Sequence, residues 1–144
     1  MVAAYLGLGS NLDGPEGQVR RALSELQLLP DSTLISHSGL YRSRPLGGMG
    51  QPDYVNAVAV LETELEPLEL LQQLQSIEAW HGRTRGERWG ARTLDLDLLV
   101  YGTAVIDITE LQVPHPGLKE RAFVLYPLHE IAPDLEIPGM GRVA

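Results

Sequence analysis

Two aspartates separated by one residue, Asp95 and Asp97, carry the clearest chemical signal in this sequence. Alternating apolar and polar residues around them predict a strand from Thr93 to Tyr101. Side chains two positions apart on a strand share a face, so these carboxylates would lie roughly 7 Å apart at Cα, opposite a packed face made of Leu94, Leu96, Leu98 and Val100. Magnesium offsets the repulsion between such carboxylates and keeps positions open for phosphates. The pair therefore predicts a metal site, and this spacing also allows it to bridge two metal ions.

A basic cluster comes just before this pair. Between His81 and Arg92 only Glu87 is acidic, whereas the arginines are Arg83, Arg85, Arg88 and Arg92. The whole chain has a net charge of −8 at pH 7, so a local cluster predicts a bound anion rather than a nucleic-acid surface. Guanidinium groups pair well with phosphate oxygens, which favours an enzyme that handles a polyphosphate. Two alternatives stay open: a solvated strand face, and arginines that simply pair with the aspartates.

Other patterns predict the elements that position these residues. Apolar spacing predicts further strands over Val2–Gly9, Thr33–Ser43 and Tyr54–Thr63, and helices over Pro15–Leu29 and Pro67–His81. A glycine-rich loop is expected at Pro45–Pro52, a short strand at Ala104–Ile108, a helical turn at Leu118–Phe123, and beyond Pro127 a mainly irregular chain with room for one more short helix. The order strand, helix, strand, strand, helix, strand predicts an α+β fold, a single-domain ferredoxin-like α/β sandwich with an antiparallel sheet.

Four further side chains are candidates for a site. Glu78 falls within the apolar stripe of its predicted helix, which predicts a paired carboxylate, although a glutamate turned to solvent fits the position equally well. Asn56 shares a strand face with Tyr54, Val58 and Val60, so it needs partners from the backbone or from an amide-like ligand edge. Trp89 could stack on a planar ligand or lie under a loop. His115 could donate to phosphate or be structural.

Composition narrows the class of protein. The 144 residues suit one domain, and the absence of cysteine excludes disulfides and thiolate metal sites. No apolar run reaches the roughly 20 residues of a membrane span. The first residues lack the pattern of a signal peptide. We therefore expect a cytoplasmic protein.

Several separated motifs follow one another along the chain. They are Gly9-Ser-Asn11, Tyr41-Arg-Ser-Arg-Pro-Leu-Gly47, Gln51-Pro-Asp-Tyr-Val-Asn56, Arg88-Trp-Gly-Ala-Arg-Thr-Leu-Asp-Leu-Asp-Leu-Leu99, Val113-Pro-His-Pro116 and Arg121-Ala-Phe123. Together they resemble the 6-hydroxymethyl-7,8-dihydropterin pyrophosphokinase family over nearly the whole chain. The resemblance implies one pyrophosphokinase domain over residues 1–144. It also implies transfer of pyrophosphate from ATP to the pterin hydroxymethyl group, with release of AMP, in folate biosynthesis.

The resemblance further implies a role for particular residues. Asp95 and Asp97 would hold two magnesium ions, and Arg83 and Arg92 would be catalytic arginines that close over the triphosphate. Further nucleotide contacts would come from Gln75, Glu78, Arg85, Arg88, Trp89, Arg92, Leu98, His115 and Arg121. The pterin would contact Ser43, Pro45, Leu46, Tyr54, Asn56, Trp89 and Phe123. Departures from residues found in some members stand at Ser43, Arg44, Gly86 and Gln112.

The implied partners are ATP and 6-hydroxymethyl-7,8-dihydropterin, with no nucleic acid, no membrane and a monomeric chain. One alternative is another magnesium-dependent nucleotidyl or phosphoryl transferase, which would release pyrophosphate or ADP. A second alternative is a non-enzymatic ferredoxin-like ligand-binding domain. For that domain, Asp95→Ala and Asp97→Ala would leave ligand binding intact.

Overall fold

The structure is a computed structural model, which describes residues 1–10, 15–43, 54–80, 94–116, 118, 122–139 and 141–142. In these ranges the helices are α1 (Pro15–Leu26), α2 (Pro67–Trp80) and α3 (Ala122–Ile131). The strands are β1 (Val2–Ser10), β2 (Ser32–His37), β3 (Tyr41–Ser43), β4 (Tyr54–Thr63), β5 (Asp95–Tyr101), β6 (Ile106–Asp107), β7 (Gln112–Val113), β8 (Glu136–Ile137) and β9 (Gly141–Arg142). None of the described helices is long and apolar enough to cross a membrane.

One five-stranded sheet forms the centre of the molecule. Its order is β2-β4-β1-β5, and β3 also pairs with β4. Both neighbours of β1 run antiparallel to it, and so do β2 and β3 beside β4. The predicted α+β class with an antiparallel sheet is therefore confirmed.

The sheet has two unlike faces. On one face, which we call the α1/α2 face, a continuous apolar cluster joins the sheet to α1 and α2; its members include Ala4, Leu6, Leu8, Val19, Leu26, Ala57, Leu61, Leu70, Leu74, Leu94, Leu96 and Leu98. On the other face, the α3 face, a smaller cluster contains Val58, Leu99, Val100, Leu118, Leu128 and Ile137. Helix α3 packs over β4 and β3 on that side. The first face is thus covered by two helices and the second by one.

Two predicted elements end or break earlier than expected. Helix α1 stops at Leu26 instead of Leu29, and the next residues form tighter turns in which Leu29 donates its N–H to the carbonyl of Leu26 at 3.3 Å. The predicted strand Thr33–Ser43 is two strands, β2 and β3. The break occurs at Ser38, whose hydroxyl accepts the N–H of Val58 at 2.9 Å. A side-chain hydroxyl there replaces a backbone acceptor of the ladder and interrupts the strand.

Strand β5 contains a bulge that the sequence did not reveal. Tyr5 pairs with Val100 and Leu6 pairs with Leu98, so Leu99 is an extra residue in the ladder. Leu99 and Val100 consequently both join the α3-face cluster, and Tyr101 returns to the α1/α2 face. The predicted placement of Val100 with Leu94 and its neighbours is therefore wrong. The extra residue of a bulge moves the residues after it to the other face of the sheet, and the sequence pattern gives no sign of this change.

The C-terminal part is more regular than predicted. Helix α3 runs through Pro127, beyond which we expected a mainly irregular chain. Proline lacks the N–H of one helical bond, but burial of Leu128 on the α3 face offsets that loss. The short strand expected at Ala104–Ile108 is confirmed in part as β6, and the hairpin of β8 and β9 was not predicted. The loop expected at Pro45–Pro52 lies outside the described residues.

Candidate active site

Asp95 and Asp97 lie together on the α3 face of β5, as predicted. Leu96 and Leu98 are buried in the α1/α2 cluster, which sends the two aspartates to the opposite face. Both aspartates are half-buried. A regular stretch of β5 beside β1 holds them, because the bulge comes only afterwards. The carboxylates therefore project from a rigid element on one side of the sheet.

Two buried glycines of β1 lie beside these carboxylates. Gly9 pairs with Asn56 on one side and with Asp95 on the other, and Gly7 pairs with Val58 and Asp97. A Cβ at Gly9 would come within 2.9 Å of Asn56 Oδ1. Gly9 is not among the glycines with positive φ, so space rather than backbone conformation requires glycine here. We call Gly7 and Gly9 the glycine floor.

Both glycines leave room for a neighbouring side chain: Leu99 lies 3.5 Å from the Cβ position of Gly7, and Asn56 Oδ1 lies 2.9 Å from that of Gly9. Asn56 is only 5% exposed, and its cross-strand position directs it to the same face. Sequence reasoning missed the role of these glycines. The available signal was their spacing, since glycines at alternate positions of a buried strand indicate that neighbouring groups approach its backbone closely.

Glu78 connects α2 to the middle of the aspartate pair. Its side chain is 6% exposed, and its Oε2 accepts the backbone N–H of Leu96 at 2.8 Å. The predicted inward orientation is confirmed, and one partner of the carboxylate is the backbone amide of Leu96. This bond holds Leu96, the residue between Asp95 and Asp97, at the edge of β5 that faces away from β1.

An open cleft lies along β5 next to Asp97. It has a volume of about 280 Å³, and its lining is Leu71, Leu96, Asp97, Leu98, Thr109, Glu110, Leu111, Gln112, His115 and Pro116. His115 is tied to β5 because its backbone N–H donates to the carbonyl of Leu99 at 2.9 Å. Leu98 and His115, both nucleotide contacts by resemblance, thus line one cleft with Asp97. Gln75 is exposed on α2 and outside this lining.

The residues assigned to the pterin fall on three neighbouring elements. Tyr54 and Asn56 lie on β4, and Ser43 of β3 is the cross-strand partner of Tyr54. Phe123 is the second residue of α3, the helix that packs over β3 and β4. The structure therefore brings these backbone positions to one side of the sheet.

The remaining predicted site residues lie outside the described part of the chain and stay predictions. They are Pro45, Leu46, Arg83, Arg85, Arg88, Trp89, Arg92 and Arg121. The departures at Arg44 and Gly86 lie outside it as well.

The donor set present fits a hard cation that shares its coordination with a ligand. Among the described residues, no group of three or more histidine, aspartate or glutamate side chains is placed to hold a metal ion. Magnesium differs from zinc in this respect, because it is usually held by one or two carboxylates together with waters and substrate phosphates. The pair Asp95 and Asp97 matches that pattern.

Comparison with known proteins gives a consistent result. Residues 5–133 match the family model described as 7,8-dihydro-6-hydroxymethylpterin-pyrophosphokinase. Several relatives are named 2-amino-4-hydroxy-6-hydroxymethyldihydropteridine pyrophosphokinase. The protein from Haemophilus influenzae is 51% identical over 96% of this chain and 86% of its own length. That from Pseudomonas aeruginosa is 52% identical over 93% and 83%, and that from Bacillus subtilis is 41% identical over 92% and 80%. The matched range includes every described site residue.

Proposed function

Since this chain belongs to the 7,8-dihydro-6-hydroxymethylpterin-pyrophosphokinase family, we propose that Asp95 and Asp97 hold the magnesium ions that its reaction requires. The protein is an ATP-dependent pyrophosphoryl transferase of folate biosynthesis. The observation that carries the proposal is the pair of half-buried carboxylates on one strand face beside the glycine floor. Bound magnesium would neutralise charge on the ATP phosphates at this position.

The reaction joins the hydroxymethyl oxygen of the pterin to the β-phosphorus of ATP. The bond between that phosphorus and the oxygen bridging to the α-phosphate breaks, and AMP leaves with the bridging oxygen. Positioning and electrostatics supply most of the acceleration in such transfers. In our proposal, the chain therefore acts mainly by holding the two substrates in line above β1 and β5.

The two substrates would occupy neighbouring regions. The triphosphate would lie at Asp95 and Asp97, with the rest of ATP in the cleft lined by Leu98 and His115. The arginines Arg83, Arg85, Arg88, Arg92 and Arg121 would pair with the phosphates. The pterin would lie beside the glycine floor and contact Asn56, Tyr54, Ser43, Pro45, Leu46, Trp89 and Phe123. For Glu78 the bond to Leu96 supports a positioning role, and Gln75 would reach the nucleotide from α2.

Four finer points also belong to this proposal. The strand order β2-β4-β1-β5, with helices following β1 and β4, supports a ferredoxin-like sandwich. Two carboxylates at this spacing support a pair of magnesium ions. A monomer and a cytoplasmic location rest on the family resemblance.

The direct test measures the nucleotide product. Incubation with ATP, magnesium and 7,8-dihydro-6-hydroxymethylpterin should produce AMP and the pterin diphosphate in equal amounts, and a chelator should stop the reaction. Asp95→Asn and Asp97→Asn should each lower the rate of AMP formation by at least about 10²–10³-fold, the cost of removing one group that stabilises transition-state charge.

A matched control is Glu62→Gln, because Glu62 is an exposed carboxylate on β4. This variant should keep the native rate. Release of ADP or pyrophosphate in place of AMP would favour a different transferase. Full activity in both aspartate variants would refute the assignment of the metal site.

A further inference from the structure

Glu130 holds three groups of the chain together at the far end of α3. Its Oε1 accepts the hydroxyl proton of Tyr41 at 2.6 Å. Both of its carboxylate oxygens lie 3.2 Å from the backbone nitrogen of Gly39, which donates to them. We call this cluster of Glu130, Tyr41 and Gly39 the Glu130 junction.

The position of Glu130 within its helix indicates that these bonds matter. Glu130 lies in the last turn of α3, where the partial negative charge of the helix end disfavours a carboxylate. Helix formation alone therefore does not explain a glutamate there. The donors at Tyr41 and Gly39 offset this unfavourable placement. The hydrogen bond to Glu130 also raises the pKa of Tyr41 above its usual value, so the phenol retains the proton that it donates.

The junction joins the elements on which the pterin residues lie. Tyr41 is the cross-strand partner of Asn56, and directly opposite residues have Cβ atoms about 4.5–5.5 Å apart. Helix α3 carries Glu130 near one end and Phe123 near the other. At about 1.5 Å of rise per residue, these two positions are roughly 10 Å apart along the helix. The helix is continuous through Pro127, so a shift of the end that carries Glu130 would also move the end that carries Phe123.

We propose that Glu130 is a positioning residue for the pterin substrate. Through Tyr41 and Gly39 it holds α3, which carries Phe123, at a set distance from the strand pair that carries Ser43, Tyr54 and Asn56. This inference rests on the proposed function, because it takes those residues as the pterin site. Loss of the junction would let α3 shift over β3 and β4 and would weaken pterin binding. The ATP cleft lies along β5 and would not change.

A second contact of β3 provides a matched comparison. Arg42 forms an ion pair with Glu16, in the first turn of α1. Both side chains are about half exposed, at 60% and 49%, and such exposed pairs contribute little to stability. This pair involves the residue next to Tyr41 but not α3. Breaking it should therefore leave pterin binding unchanged.

The test measures binding of each substrate separately by titration calorimetry. One titration uses 7,8-dihydro-6-hydroxymethylpterin in the presence of magnesium and a non-hydrolysable ATP analogue, and the other uses that analogue alone. Glu130→Ala should raise the Kd for the pterin by about tenfold, and Tyr41→Phe by about threefold. The Kd for the analogue should stay within about twofold in both variants. Glu16→Gln should change neither constant.

Two further variants separate positioning from general destabilisation. Glu130→Gln keeps an acceptor oxygen for Tyr41 and should recover part of the pterin affinity. The double variant Tyr41→Phe with Glu130→Ala should bind the pterin no more weakly than Glu130→Ala alone, because both changes remove the same bond. If Glu130→Ala does not fold, Tyr41→Phe and Glu130→Gln decide the question.

A Kd for the pterin within about twofold of the native value in all folded junction variants would overturn the proposal. Equal weakening of pterin and nucleotide binding would overturn it too, since that pattern indicates a merely structural role. Failure of the proposed function would be recognised by a different result, because the native chain would then form no AMP.

Discussion

The two faces of the central sheet differ in what their residues do. The α1/α2 face is apolar over most of β1, β4 and β5, with the buried polar residues Ser10 and Thr63 at strand ends, and two helices bury it. The α3 face is apolar only at one end, around Val58, Leu99 and Leu128. Its other end carries Asp95, Asp97, Asn56 and Gly9. The same three strands thus pack against two helices on one side and carry polar side chains at one end of the other side.

The two faces therefore have different roles, since one stabilises the fold and the other can bind a ligand. A fully covered face contributes the apolar burial that folds the chain. A face that is covered over only part of its length leaves room for a ligand, while the strands beneath it stay rigid because the opposite face is packed. Substitutions on the two faces should therefore change different measurable quantities.

The largest expected effect is on the covered face. Leu74 of α2 is fully buried in the α1/α2 cluster, so Leu74→Ala should lower the free energy of unfolding by about 2–5 kcal/mol. Urea denaturation measures this change. Leu68→Ala is the control, because Leu68 lies on the same helix and is 41% exposed. A Leu74→Ala protein with native stability but weakened substrate binding would contradict the separation of the faces.

A second change tests the hydrogen bond between Glu78 of α2 and the backbone of β5 at the candidate site. Glu78→Ala removes the acceptor for the Leu96 N–H and should lower the apparent affinity for magnesium by about 10–100-fold, the usual effect of losing a group that supports a metal ligand. The magnesium dependence of AMP formation measures it. Glu78→Gln retains an acceptor oxygen and should bind magnesium more tightly than Glu78→Ala. Equal losses in both variants would mean that the charge of Glu78, and not its bond to Leu96, is what matters.

A third change crowds the buried side chain of Asn56. Gly9→Ala places a methyl group 2.9 Å from Asn56 Oδ1, so the buried amide must turn away from its position. We expect the KM for the pterin to rise by about tenfold, the cost of one misplaced hydrogen-bonding group. Gly17→Ala on α1 meets nothing within 4 Å and should stabilise the chain by about 0.5–1 kcal/mol. An unchanged pterin KM in Gly9→Ala would mean that the glycine floor is not part of the pterin site.

The smallest expected effect is a pH-dependent change in stability at one hydrogen bond of the covered face. Tyr101, on the α1/α2 face, donates its hydroxyl to the carbonyl of Leu65, and Tyr101→Phe should cost about 0.5–1.5 kcal/mol at pH 7. Burial, followed by the charges of Glu66 and Glu69, raises the pKa of Tyr101 above 10.0. A raised pKa means that the folded state holds the proton more tightly, so this stability is complete below about pH 10 and is lost as the pH rises through the folded pKa.

Urea denaturation between pH 7 and pH 11 would follow that loss. The native and Tyr101→Phe proteins should become more alike in stability as the pH rises above 10. A stability difference that stays constant to pH 11 would show that Tyr101 does not titrate with unfolding.

Local patterns in the sequence predicted much of this fold. Alternation gave β4 with its bounds and β1 to within one residue, and the prolines at 15 and 67 marked the starts of α1 and α2. The errors come from tertiary contacts. The bond of Ser38 to Val58 divides a predicted strand, and the bulge at Leu99 moves Val100 to the other face. Packing on the sheet keeps α3 helical through Pro127. None of these contacts has a local signature.

The candidate site also has features that the sequence predicted and features that depend on tertiary contacts. Spacing alone predicted the common face of Asp95 and Asp97 and the inward orientation of Glu78, because both depend on one element. The glycine floor depends on which strands neighbour β1, and the bond of Glu130 to Tyr41 joins residues 89 positions apart. Such features require the sheet order and the helix placement, which one sequence does not provide.

The outer edge of β5 has a consequence beyond the reaction. Edge strands expose unpaired N–H and C=O groups that can recruit a strand from another chain and start aggregation. On β5 the N–H of Leu96 is bonded to Glu78 and the carbonyl of Leu99 to the N–H of His115. Both groups are therefore already satisfied within the same molecule. The contacts that hold the aspartates in place also protect this edge from intermolecular β-pairing.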